Sequence, residues 1–81
     1  MGKHEKLLER LRDPQKDNSW DFAELCHLLQ KLGFEMRQSG SHHFFRKPGV
    51  VEAVNLQPRG SGAKNYQVRQ ARKVLQNNHL L

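Results

Sequence analysis

Cysteine is nearly missing from this chain. One cysteine in 81 residues cannot close an intramolecular disulfide. Cys26 lies in a run of leucines, where it reads as a small buried hydrophobe, and a chain without disulfides suits the reducing cytoplasm. Long apolar runs are lacking too. None approaches the roughly 20 residues needed to span a bilayer, and the N-terminus has no charged-then-apolar secretory pattern, so a soluble, cytoplasmic protein with no membrane role is expected. No cysteine or carboxylate completes a metal-ligand set with the histidines at a familiar spacing. Neither a metal nor a small-molecule cofactor is therefore expected. Internal repeats and low-complexity tracts are also absent, which leaves one small domain with one thin core.

Acidic residues are in short supply. Eight Asp and Glu stand against fourteen Lys and Arg, a net charge of +6. That balance favours polyanionic partners such as nucleic acid or an acidic protein, although charge alone also serves solubility.

Hydrophobic spacing supplies the elements. Leu7, Leu8 and Leu11 recur at helical intervals over His4 to Arg12, and Asp13-Pro14 ends that helix. Gln15 to Ser19 is polar and reads as a linker. Asn18 or Ser19 can cap a second helix in which Phe22, Leu25, Cys26, Leu28, Leu29 and Leu32 form a broad apolar face, and Gly33 stops it. From Phe34 the period changes. Residues 34–38 and 42–46 alternate about Ser39-Gly40-Ser41, a hairpin pattern, and Lys47-Pro48-Gly49 turns the chain into a valine-rich third strand over Val50 to Leu56. Gln57 to Gly62 reads as a mobile basic loop, and Asn65 to Gln76 as a closing helix with Val68, Ala71 and Leu75 inward. The result is an α+β domain, α-β-β-β-α with a three-stranded antiparallel sheet, preceded by an extra N-terminal helix. The boundary is expected between an extension over residues 1–19 and a main domain over 20–81. Both of the main domain's helices can pack on one face of the sheet and leave the other open. Double-stranded RNA-binding domains share this element order.

Chemistry concentrates at Gly40-Ser41-His42-His43-Phe44-Phe45-Arg46. Adjacent strand residues point to opposite faces, so only one histidine turns toward the core. Histidine can take and return a proton near neutral pH, and a glycine-serine turn lets backbone N–H groups meet a phosphate. Alone, such a pair is as readily a polar strand edge. Phe44 and Phe45 divide the same way, one for the core and one able to stack on a base. Arg46, Lys47, Arg59 and Lys64 could follow a phosphate backbone, and Lys64, Arg69, Arg72 and Lys73 gather at the last helix.

Taken together, Leu29-Gln30-Lys31-Leu32-Gly33-Phe34, the Gly40 to Arg46 segment, Val54-Asn55-Leu56-Gln57-Pro58 and Ala63-Lys64-Asn65-Tyr66-Gln67-Val68-Arg69-Gln70 resemble HicA-type toxins. The likeness runs from about Phe22 to Leu75. It implies a double-stranded-RNA-binding-like fold used as an mRNA interferase of a type II toxin–antitoxin pair, with mRNA as substrate and a HicB-type antitoxin as partner. The family's functional histidine follows its turn and falls here on His42 as general base, with His43 as helper or substitute. Gly40, Ser41, Phe45, Arg46, Lys47, Arg59 and Lys64 are the expected RNA contacts. Asn65 stands where a familiar form of the family has proline. A non-catalytic RNA-binding module, or an inactive protein that only docks an antitoxin, would share the fold.

Overall fold

The computed structural model describes residues 2–81. Helix α1 spans Lys3–Arg12 and turns Leu7 and Leu11 inward. Asp13 ends it and begins the next element: its carboxylate accepts from the Gln15 backbone N–H at 3.0 Å, and Pro14, which has no N–H to leave unpaired, starts a 3-10 helix over Pro14–Ser19. The segment expected as a linker is therefore ordered and docked. Asp17 within it is buried, and both oxygens of its carboxylate accept from Arg72, at 2.7 and 3.0 Å.

Helix α2 covers Phe22–Lys31, with Asp21 rather than Asn18 or Ser19 at its N-cap. The start is displaced because Trp20 is buried in the core and Asp21 forms an isolated bridge with Gly62. Ser19 instead donates its hydroxyl to the Lys16 carbonyl at 2.9 Å. Gly33, with φ of +98°, ends the helix as expected, a conformation that side chains with a Cβ adopt at a cost.

Strands β1 (Glu35–Ser39), β2 (His42–Arg46) and β3 (Val54–Leu56) form the antiparallel sheet in that order. Ser39 pairs with His42, so Gly40 and Ser41 make a two-residue turn, and Gly40 takes the positive φ of +60° that its first position requires. The third strand is shorter than its valines suggest. Lys47-Pro48-Gly49 turns with φ of +87° at Gly49, Val50 folds against the edge of the core, and Val51 stands 91% exposed. β-propensity gives way to the path the chain must take before Val54 can meet Phe45.

Residues 57–62 are not a free loop. Strands β4 (Pro58–Arg59) and β5 (Gly62–Ala63) form a small hairpin, tied to the start of α2 by Phe22 N–H to Ser61 C=O and Ala63 N–H to Trp20 C=O, both 3.0 Å. A Cβ on Gly62 would stand 3.3 Å from the Trp20 carbonyl oxygen, a tight contact that favours glycine there. Helix α3 spans Asn65–Asn77 and buries Val68, Ala71 and Leu75.

The fold is thus α+β, a three-stranded antiparallel sheet flanked by helices with an additional helix at the N-terminus. Leu7 and Leu11 share one core with Trp20, Leu28, Phe45, Leu56 and Leu75. The extension and the main body are packed together, not strung on a tether. No helix among the described residues is long and apolar enough to cross a membrane.

Candidate active site

Strand β2 sorts its side chains by alternation. Phe45 is fully buried and His43 half-buried on the helix side, whereas His42, Phe44 and Arg46 are exposed on the outer face. Phe45, expected among the RNA contacts, is a core residue, and the exposed aromatic is Phe44. The physical reason is the period of two: a residue three places from His42 cannot share its face.

The two histidines have different surroundings. His43 lies edge-on to Phe22, ring centroids 4.8 Å apart and planes at 72°, and its Nδ1 is 3.1 Å from the Ser41 carbonyl oxygen. A carbonyl only accepts, so Nδ1 carries the proton there. His42 is stacked beside Phe44, with centroids 5.9 Å apart and planes within 11°. Its Nε2 lies 3.2 Å from Nε2 of Gln57.

Gln57 is held by three further contacts. Its Oε1 accepts from Lys64 Nζ at 3.0 Å and from Gln67 Nε2 at 3.4 Å, while its backbone N–H donates to Gln67 Oε1 at 2.7 Å. An ammonium has no acceptor, so Lys64 fixes which end of the carboxamide is oxygen. The amide N–H then faces His42 and must donate. Neutral His42 consequently keeps its proton on Nδ1 and its lone pair on Nε2, the form in which an imidazole can accept a proton from a substrate. The chain Lys64, Gln57, His42 joins the start of α3, the end of β3 and the start of β2.

Gln57 and Gln67 fall within the segments that carry the family resemblance, but nothing in the sequence marks either as a partner of His42. Pairing of His43 with Leu56 is what brings Gln57 opposite His42, and that register follows a loop whose length does not reveal it. The other expected contacts separate. Gly40 and Ser41 form the exposed turn beside His42, Arg46 lies on the same face, and exposed Arg59 is two residues beyond Gln57. Lys47 is half-buried and on the opposite face, its Nζ lying over Gly33 so closely that a Cβ there would be 2.5 Å away. It is not part of this cluster. Lys64 reaches the site through Gln57. No group of three or more potential metal-ligating side chains occurs among the described residues.

An α+β fold with a helix-backed antiparallel sheet and an exposed histidine after a glycine-serine turn defines the class. Within that class, the family model described as the HicA toxin of bacterial toxin–antitoxin systems matches residues 22–76, and the chain belongs to this family, which makes it a toxin of such a system. No curated protein and no solved structure gives a significant match. The matched segment begins at the first residue of α2. Helix α1 and the 3-10 helix lie outside it.

Proposed function

We propose that this toxin is a metal-independent mRNA endoribonuclease of the cytoplasm, with His42 as general base and a HicB-type antitoxin as the protein that covers the site. The observation that carries the reading is the exposed His42 imidazole with its Nε2 lone pair oriented by Gln57. A ribose 2′-hydroxyl entering from solvent replaces the Gln57 N–H and gives its proton to Nε2. The 2′ oxygen then attacks the adjacent phosphorus, the bond to the 5′ oxygen breaks, and that oxygen leaves with a proton from water. The products are a 2′,3′-cyclic phosphate and a 5′-hydroxyl. General base catalysis of this kind contributes about 100-fold or more.

The remaining residues take supporting roles. Backbone N–H groups of Gly40 and Ser41, with Arg46, stabilise charge on the phosphorane oxygens, and Arg59 follows the backbone of the RNA strand. His43, on the helix side of β2 against Phe22, helps by holding the turn through the Ser41 carbonyl. Lys64 acts through Gln57. DNA, lacking the 2′-hydroxyl, survives.

Incubating the purified protein with RNA in EDTA tests the reading. Cleavage leaving 2′,3′-cyclic phosphate ends, and none of a DNA of the same sequence, is expected. Intact RNA with measurable binding would instead favour a non-catalytic RNA-binding module.

A further inference from the structure

The outer face of the sheet carries a groove of about 420 Å³ lined by Glu35, Arg37, Phe44, Arg46 and Ala53. Its size falls within the roughly 300–1,000 Å³ of small-ligand sites. Phe44 is 39% exposed, one of few large apolar side chains left to solvent. Arg37 pairs in register with Phe44, and Glu35 with Arg46. The charges around this aromatic floor make no close ion pair: those among the described residues are Arg10 with Glu24 and Arg72 with Asp17, and neither involves the groove.

An apolar peptide would leave two guanidiniums and a carboxylate without partners. An acidic protein surface would satisfy the guanidiniums and repel Glu35. A nucleotide answers all of them, because its base has a flat face for Phe44, its phosphate meets arginine, and an exocyclic amino group donates to a carboxylate. His42 adjoins the groove, its ring 5.9 Å from that of Phe44.

We propose that this groove binds one unstacked base of the RNA strand, that of the nucleotide flanking the cleaved bond. The base lies on Phe44, Arg37 and Arg46 hold its phosphate, and Glu35 accepts from its amino group. The assignment rests on the ribonuclease reading of His42, and its test keeps the two apart.

A fluorescent 2′-O-methyl oligonucleotide, which cannot be cleaved, is titrated into the full-length protein and followed by anisotropy. Phe44→Ala is expected to weaken binding about tenfold, as loss of one stack would, and Phe44→Trp to restore it. In parallel, RNA with an abasic nucleotide on either side of the mapped scissile bond is cleaved by wild type and by Phe44→Ala. At one of the two positions the abasic substrate should cost wild type about tenfold in kcat/KM and cost Phe44→Ala nothing more. Additive losses, or binding unchanged by Phe44→Ala, overturn the groove while the ribonuclease reading stands. Stack-dependent binding without cleavage by wild type sustains the groove and removes the nuclease. Loss of affinity confined to an acidic partner protein overturns the groove in favour of a protein contact.

Discussion

Arg72 on α3 grips the buried carboxylate of Asp17 through two hydrogen bonds of 2.7 and 3.0 Å, and the same guanidinium donates to the Leu11 carbonyl at 3.1 Å. One side chain thus clamps α1, the 3-10 helix and α3 together. The Asp17 hydrogen bonds raise the Arg72 pKa, so the cation is never surrendered at accessible pH. Breaking a buried pair by removing one partner costs about 3–5 kcal/mol, and a chain of this length has only ~0.05–0.15 kcal/mol per residue in total. Asp17→Ala and Arg72→Ala should each remove a large share of that stability, about 3–5 kcal/mol at 25 °C. The double variant should lose much less than the sum. Urea unfolding followed by far-UV circular dichroism measures all three, and simple additivity would mean that the pair is not coupled.

Removal of residues 1–19 has a related expected outcome. The truncated chain loses Leu7, Leu11 and Asp17, leaving apolar surface on α2 and α3 uncovered and Arg72 unpaired. It should precipitate or bind a hydrophobic dye even though the whole family-matched segment is retained. A cooperatively folded truncation with a sharp melting transition would refute that dependence.

Gln57 carries the most discriminating prediction about chemistry. Gln57→Leu keeps the shape and removes the donor, so His42 is free to turn and its lone pair is no longer aimed. RNA cleavage should fall in kcat by about tenfold or more with KM little changed. Gln57→Glu places a carboxylate beside the imidazole and favours imidazolium, so the acidic limb of the kcat profile should move to higher pH. An unmoved profile in Gln57→Glu would show that Gln57 does not act on the base.

Strand alternation alone separates the residues of β2 into two sets. In a strand, His42, Phe44 and Arg46 share one face, and His43, Phe45 and Lys47 the other, so His42 and Phe45 could not serve one RNA strand together. Which set faces water is decided by Phe45, whose ring is fully buried. The three helices and the hairpin were legible because Leu7, Leu11, Val68, Ala71 and Leu75 keep helical spacing, and Gly40 marks the turn. Tertiary pairings were not. Asp17 looked like a polar linker residue because its partner is 55 positions away, and Gln57 became a neighbour of His42 only through the register of β2 on β3.

His42 and His43 are separable by substitution. His42 is exposed, so His42→Ala should remove RNA cleavage and growth arrest without changing the melting temperature. His43 is half-buried against Phe22 and holds the Ser41 carbonyl. His43→Ala should instead lower stability by about 1–2 kcal/mol and leave substantial activity in the folded fraction. The reverse pattern, with full toxicity in His42→Ala and none in a stably folded His43→Ala, would transfer the base to His43.

Cys26 provides a final test, of the core. Burial pushes its thiol from the usual 9.0 up to about 11, so the native protein holds a proton there that the unfolded chain gives up first. A raised pKa in the folded state means that the contribution is complete below pH 9.0 and is lost as pH climbs from there to about 11. Native Cys26 should therefore resist iodoacetamide at pH 8 and react only as fast as the protein opens, while the urea-unfolded chain reacts at once. Stability measured from pH 8 to 11 should fall more steeply for wild type than for Cys26→Ala, whose lost sulfur lowers the whole curve but removes this titration. Rapid alkylation of the folded protein at pH 8 would show that the core does not close over Cys26 on α2 as tightly as its 8% exposure indicates.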